Sequence, residues 1–544
     1  MVEILYLLYV TWVIFCLSFK LKGTGMDWNK LLNNGRRKDK SNKQDHYWNS
    51  EWGMIENGTR EEIERDYDRI LFLAPIRRLA DKTQVFPLEQ NDSVRTRLTH
   101  SYEVSNLARS IGTQLAYEKD DIFTGHNLEK RKGYLTRSLP ALLAAIGLAH
   151  DLGNPPFGHQ GESAIQDWFK ENVEFPKNEG GRINPIYHDF TKFDGNSQTI
   201  RLLTQLQILN DQFGVNLTYA TLAALLKYPQ SSEYVDERNR KIEEWVKTKG
   251  KEPCPHTKPT WKKHGYFHSE SSLIKDIWEE TGLKEGVMHP ITYVMEACDD
   301  IAYSVLDAED IVKKGLASFH DLINHLEHYM SCAQQNEKEL KGTDEEKQKG
   351  QFELIQNVID LSEKKHKEFS SPALGLTPTE LNDVSMQMFR VYAIGVLIKA
   401  VTEAFEKNLK SLLNTEKPEK ELMALSEGSA LCEALKKFDF KWGYKNKSVL
   451  KLELEGHNYI KSLMSMLWIG IHGRLNKEKP EKSNTPFGEY VYGRISENYR
   501  RIFEDDNNDL PEPYKEAQLL ADAISGMTDS YLISLHNELK ELNI

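Results

Sequence analysis

One stretch of this sequence limits the fold more than any other. From Leu139 to Ala149 the chain is apolar on every side of a helix, and it then runs into His150 and Asp151. A helix without a polar face has to be buried. An ionisable pair at the end of such a helix is costly unless it is paired or bound to a metal. Directly afterwards, Asp151 to Gly161 holds three glycines and two prolines, which break the helix and open a loop. That loop returns a second histidine and a glutamate, His159 and Glu162, nine and twelve residues after His150.

Apolar residues make up 39 % and aromatics 10 % of the 544 residues, enough for packed cores and against global disorder. Length alone admits about three to four domain-sized units, or fewer if helical units merge. Lys and Arg number 70 against 82 Asp and Glu, a net charge of −12. This excludes a generally basic nucleic-acid coat while leaving room for a local basic groove. The five cysteines (Cys16, Cys254, Cys298, Cys332, Cys432) lie far apart and form no CxxC pair. Neither a disulfide framework nor a zinc ribbon is expected, and a reducing compartment is.

Ile4 to Phe19 is nearly all apolar and admits three readings. A signal peptide needs a basic start and a small-residue cleavage site, whereas Glu3 precedes the run and Phe19-Lys20-Leu21-Lys22 follows it. A membrane anchor needs about 20 apolar residues, and the run is shorter. Initiation at Met26, with residues 1–25 as a non-native or read-through extension, fits best. Met26-Asp27-Trp28-Asn29-Lys30-Leu31-Leu32 reads as an ordinary amphipathic beginning.

The remaining chain divides by composition into an N-terminal arm at 26–60 and a helical core at 61–330 with an exposed excursion at 229–264. A linker or surface segment follows at 331–351, and then a C-terminal helical region at 352–544. Apolar residues recur at helical spacing from Glu61 to Leu79. Thr99 is placed to cap a helix that puts His100, Val104, Leu107, Ala108, Ile111 and Leu115 on one face. Helices are expected through 197–228 and over His289 to Lys314, the latter with Pro290 in its first turn. Others fill 352–475 and, after a loop at Lys477 to Pro486, the tail from Gly488 to Leu542. No internal repeat and no strand-rich block is present. The expected fold class is all-α.

Three further features bear on chemistry. His100 lies on the apolar face of its helix, where a lone histidine is more often a satisfied core residue than a ligand. In the long helix Glu296, Asp299, Tyr303, Asp307 and Asp310 follow at intervals of three or four and share one stripe. By periodicity alone such a stripe is a solvated acidic face. Asp299 and Asp300 compete as a ligand, and Asp299 is favoured because Tyr303 and Asp307 lie one and two turns above it. Two neutral imidazoles and two carboxylates suit a divalent ion such as Mg²⁺ or Mn²⁺, or a borderline transition metal. His159 and Glu162 are spaced to form an imidazole–carboxylate pair able to deliver a proton near neutral pH. The competing reading makes His159 a loop-stabilising residue.

Taken together, His100, the His150-Asp151 pair and Asp299 resemble the HD superfamily of metal-dependent phosphohydrolases. Longer words resemble one branch of it, the deoxyguanosine triphosphate triphosphohydrolases and related dNTPases. These are the stretches Asp81 to Pro87, Arg95 to Ser101, His150 to Glu162, Phe193 to Thr199, Leu225 to Pro229, Gly265 to Glu270, Asp299 to Ser304 and Gly526 to Asp529. The resemblance implies an HD-type helical core at 61–330, with the C-terminal region completing the pocket and oligomer contacts. It implies a metal held by His100, His150, Asp151 and Asp299, and water attack at the α-phosphorus that releases deoxynucleoside and triphosphate. His159, backed by Glu162, would donate a proton or position the water. Arg97 and Lys227 would bind the triphosphate, with an ordinary surface charge as the alternative for either. Gln84 and Asp307 would hold the 3′-hydroxyl and the Tyr303 ring would exclude a 2′-hydroxyl, although Tyr303 also reads as a core aromatic. Asn196 is a pocket candidate, and equally part of a Gly-Asn turn. Asn154 departs from the pattern, since relatives often carry a histidine there.

The resemblance further implies a cytoplasmic homo-oligomer, often a hexamer, with no membrane association. Some relatives respond to dNTP activators or to single-stranded DNA, for which Arg494 to Arg501 offers basic contacts. Two rival readings stand beside it. One is another HD-type phosphohydrolase, such as a nucleotidase or a cyclic-nucleotide phosphodiesterase. The other is a non-catalytic nucleotide- or single-stranded-DNA-binding regulator, which would have no need of four ligands together with His159 and Glu162.

Overall fold

A computed structural model describes residues 26–41, 60–88, 91, 93–118, 132–209, 211–249, 263–336, 343–414, 421–475 and 485–542. The expectations for residues 1–25, and for most of the Lys477 to Pro486 loop, lie outside the described residues. Among the described residues there is no strand, only three isolated bridges, and the chain is all-α. Buried apolar side chains form one cluster that runs from Met26 to Leu539.

The region around the His150-Asp151 pair is built on two helices, Arg97–Tyr117 and Lys132–Ala149. In the second, every residue from Leu142 to Ala149 is buried, as its uniform apolarity requires. The two lie close because Gly147 offers no side chain: a Cβ there would come within 2.9 Å of the Ser105 Cα. Ser105 Oγ then donates to the Ala144 carbonyl at 2.8 Å across the contact.

The first helix starts earlier than expected. Thr96, not Thr99, is its cap: Thr96 is extended, its side chain accepts from Thr99 N, and Thr99 Oγ1 accepts in return from Thr96 N at 3.0 Å. The reciprocal pair satisfies two orphan donors at once, which a cap at Thr99 could not do. The helical pattern from Glu61 to Leu79 is divided into Glu62–Leu71 and Ala74–Arg78. Pro75, in the first turn of the second piece, cannot donate back to an upstream helix.

The long helix runs over Pro290–Lys313 as the spacing predicts. His289 caps it, its Nδ1 accepting from Ile291 N while Nε2 reaches the Leu31 carbonyl at 3.1 Å. Burial lowers His289 to about 4, so the ring is neutral and can do both. Within 197–228 the structure has Gly195–Arg201, a π-helical turn Leu202–Leu206 and then Tyr219–Leu225.

Of the segment 229–264, residues 250–262 lie outside the described residues; its start is buried and the helix that follows is mostly exposed. Residues 229–232 are buried, Ser232–Lys249 is a helix, and the chain returns at Lys263 and buried His264 to face Asp194. The helix leaves Glu237, Arg240, Lys241, Glu243, Glu244 and Lys247 exposed, while Lys263 pairs with buried Asp194.

C-terminal helices wrap this core. Lys447–Ile471 packs on Gly158–Asn172, and Glu512–Ser525 and Asp529–Leu542 pack on Lys447–Ile471 in turn. Pro378–Leu412 is long and apolar enough to cross a membrane by length and composition, with a mean hydropathy of 1.4 in its most apolar window, 39 % of it buried. It packs along Pro290–Lys313 and Thr343–Phe369, and its Arg390 pairs with buried Glu309 at 2.9 Å.

Candidate metal centre and active site

Where the buried helix ends, His150 bends back on itself. Its Nδ1–H donates to the Gly147 carbonyl at 2.7 Å, which leaves Nε2 buried and without a directed hydrogen bond. That nitrogen lies 3.5 Å from an oxygen of Asp151 and 3.5 Å from Asp299 Oδ1. His100 Nε2 comes within 3.2 Å of the same Asp299 oxygen. The two imidazoles meet edge to face at 5.5 Å between centroids. One ligand atom each from His100, His150 and Asp151 lies within 4.8 Å of the others.

Burial disfavours a charged His150, but the Asp151 and Asp299 carboxylates override it and raise the ring to about 9. Burial likewise penalises both carboxylates, yet His150 and the neighbouring cations hold them well below the usual range. Two imidazole nitrogens and two anionic carboxylates that converge around an orphaned nitrogen fit a divalent cation.

Asp299 and Asp300, the two candidates on the long helix, have different groups opposite them. Asp299 faces the imidazoles, whereas Asp300 forms an ion pair with Lys436. The acidic stripe is not a solvated face. Asp307 is 2 % exposed and accepts from the Tyr444 hydroxyl, and buried Asp310 pairs with Arg95 at 2.6 Å. Glu296 lies in the cleft with Lys227 and Asp299, and burial raises it to about 8.

The two cations expected to bind phosphate sit against the Asp151 and Asp299 carboxylates. Arg97 NH1 pairs with Asp151, while its Nε and NH2 donate to the Thr83 carbonyl at 3.2 and 2.9 Å. Lys227 Nζ is 3.5 Å from Asp299 Oδ2. Asn154 donates to Asp151 Oδ1 at 2.8 Å.

His159 stands at the start of Gly158–Asn172, entered through Phe157 and Gly158, both at positive φ. A side chain at Gly158 would approach Arg97 NH2 to 2.9 Å, so the start of this helix abuts Arg97. The His159 side chain is 88 % exposed, with Nδ1 3.4 Å from Glu162 Oε2. The Glu162 bond raises the His159 pKa. Glu162 is buried, accepts from Gly195 N at 2.8 Å and lies 3.5 Å from Lys263 Nζ.

Tyr303 stacks on Tyr444, with ring centroids 6.1 Å apart and an angle of 17°, and Lys436 Nζ approaches its ring at 5.6 Å. Gln84, next to Thr83, keeps a buried Oε1 without a hydrogen-bond partner. Asn196 lies in the first turn of Gly195–Arg201, where its Nδ2 donates to Asp194 Oδ1 at 2.7 Å beside the cap bond from its own N–H.

Two residues at the site escaped sequence reasoning. Tyr444 ends a π-helical turn, Phe440–Tyr444, and meets Asp307 from 137 residues away. Lys263 links Glu162 to Asp194 from within a stretch whose composition resembles any exposed linker. Neither carries a periodic or spacing signal. Only a π-bulge could have drawn attention to Tyr444, and such bulges have no sequence signature of their own.

Comparison with known proteins places this geometry. The HD domain family matches residues 97–183, which include His100, His150, Asp151, His159 and Glu162. The chain is 31 % identical over 531 residues to the deoxyguanosinetriphosphate triphosphohydrolase-like protein of Listeria monocytogenes, covering 95 % of this chain and 100 % of that protein. Its counterpart in Listeria innocua is 32 % identical over the same coverage. Deoxyguanosinetriphosphate triphosphohydrolase of Yersinia pestis is 28 % identical over 518 residues, 86 % of this chain and 92 % of that protein.

Proposed function

Since the chain belongs to the deoxyguanosinetriphosphate triphosphohydrolase-like family of HD-domain proteins, we propose that it hydrolyses deoxynucleoside triphosphates to deoxynucleoside and inorganic triphosphate. The observation that carries this reading is the convergence of His100, His150, Asp151 and Asp299, with Arg97 and Lys227 against them. A divalent ion, Mg²⁺ or Mn²⁺ before a transition metal, would be held by those four residues. Bound there, it would supply Lewis acidity towards water and a phosphoryl oxygen.

The protein's own groups do the rest. Arg97 and Lys227 offset the roughly four negative charges of a triphosphate. Water adds to the α-phosphorus, the P–O5′ bond breaks, and the 5′-oxygen leaves with a proton from the outward nitrogen of His159. Glu162, hydrogen-bonded to the other nitrogen, holds the ring in orientation and favours its charged form. Gln84 and Asp307 bind the 3′-hydroxyl, and Tyr303, held flat by Tyr444, occupies the space a 2′-hydroxyl would need.

The test is incubation with each dNTP and rNTP plus Mg²⁺ or Mn²⁺, with products resolved. Deoxynucleoside and intact triphosphate are expected; release of pyrophosphate or orthophosphate points to another phosphohydrolase. His159→Ala is expected to lower kcat by about 10²-fold or more while metal binding persists. Tyr303→Ala is expected to lose dNTP activity and to narrow the dGTP/GTP ratio of kcat/KM, since an unpaired buried hydroxyl costs about 1–3 kcal/mol in the wild-type pocket. An unchanged ratio places Tyr303 in the core instead.

A further inference from the structure

We infer that Asp529 is a positioning residue that holds two walls of the active site in register. The inference rests on the proposed reading of that site. Asp529 opens the helix Asp529–Leu542 and is 2 % exposed. Its Oδ2 accepts from Thr83 N at 2.9 Å and from the Thr83 hydroxyl. Its Oδ1 accepts from Phe157 N at 3.1 Å.

Each partner leads directly to a functional group. Thr83 precedes Gln84, and its carbonyl receives Arg97, which in turn pairs with Asp151. Phe157 is the N-cap of the His159 helix and sits at φ 58, a left-handed conformation that a bulky residue keeps only when its surroundings impose it. The imposing contacts are the Asp529 bond on its N–H and the packing of its ring: a Cβ at Gly456 would lie 2.4 Å from that ring.

A second clamp runs parallel. The buried Lys82 ammonium donates to the Asn154 carbonyl at 2.6 Å and to the Ser525 carbonyl at 2.8 Å. Residues 525–529, from the last helices of the chain, therefore grip 82–83 on one side and 154–157 on the other. A carboxylate suits the central position because both of its oxygens face backbone N–H donors. An amide, whichever way it is turned, would aim its –NH₂ at the N–H of Thr83 or of Phe157. The Gly526 to Asp529 word in the sequence thereby acquires a task distinct from binding metal or substrate.

The experiment is a double-variant cycle with Asp529→Asn and His159→Ala, read with the protein's own dNTP substrate. Asp529→Asn is expected to keep its thermal unfolding transition and Mn²⁺ affinity and to lose about tenfold or more in kcat. In the His159→Ala background that loss is expected to shrink, because the part of it that runs through Phe157 acts by placing His159. A folded, metal-binding Asp529→Asn protein with wild-type kcat overturns the inference, as does a loss that multiplies in full with that of His159→Ala. Should Asp529→Asn not fold, Thr83→Val removes one donor while keeping shape and N–H; a kcat lower by about threefold supports the clamp, and an unchanged one refutes it. Failure of the functional reading looks different, since the wild-type protein would then release no triphosphate from any dNTP.

Discussion

Replacing His150 by alanine is expected to abolish divalent-metal binding and turnover while the helices stay formed. Removal of the ring takes away the one buried nitrogen that faces both Asp151 and Asp299, and leaves those carboxylates with less countercharge. Loss of a ligand from a four-group site removes the chemistry together with the ion, so kcat is expected to fall by more than about 10³-fold. Calorimetric titration with Mn²⁺ alongside product analysis checks it; full activity in a variant that no longer binds metal would sink the HD reading. The same ring sets a pH dependence. Without metal, His150 is raised to about 9, so its stabilising charge is fully present below the unfolded value of about 6.5 and is lost as pH rises through 9. A metal must displace that proton. Apparent affinity is therefore expected to rise between pH 7 and 9, by up to about tenfold per unit, and to level off above. An affinity flat across that range would show that His150 is not a ligand.

The largest effect on stability is expected at Arg201. It is fully enclosed between Asp522 and Glu270, with Nε and NH2 on the Asp522 oxygens at 2.8–2.9 Å and NH1 on Glu270 at 2.9 Å. It thereby ties the helix Gly195–Arg201 to the C-terminal Glu512–Ser525. Arg201→Ala leaves two buried carboxylates facing each other without a cation. Breaking a buried pair from one side costs about 3–5 kcal/mol, and here one cation serves two anions. Denaturant unfolding with unchanged slope and a lowered midpoint measures it. A change below about 1 kcal/mol would mean that the carboxylates take up protons or solvent at little cost.

Much of the site was legible because it is written in local chemistry. The uniform apolarity of Leu139 to Ala149 demanded burial, and the ionisable pair that follows demanded partners. The i, i+3 spacing of His159 and Glu162 survives as a hydrogen-bonded pair on one helix turn. Asp299, Tyr303 and Asp307 fall on one helical stripe because 3.6 residues per turn leaves no choice. Pro290 and His289 marked a helix start that is present as read. The resemblance to a family supplied what spacing could not, namely that His100 and Asp299, 199 residues apart, belong together.

Local rules failed where two local solutions were of similar cost. Thr96 and Thr99 can each cap a helix, and the reciprocal bond between them selects Thr96. The excursion at 229–264 has the composition of solvated surface, yet Lys263 closes on Asp194 and Glu162, an ion pair invisible without the return path of the chain.

The sequence by itself determined the all-α class, the helix that carries the His-Asp pair, the loop that breaks it and the residue types a divalent ion and a triphosphate would require. Tertiary structure alone decided which distant side chain each charged group meets. Asp299 faces imidazoles and Asp300 faces Lys436 although the two are adjacent in sequence. Asp307 and Asp310 share a stripe, yet one meets Tyr444 and the other Arg95. Asp529 joins Thr83 to Phe157 across 446 and 372 residues. The physical reason is common to all three. Helical periodicity assigns a side chain to a face, whereas its partner depends on which distant helix packs on that face and at what height, and buried charges select among those packings by the pairing they allow.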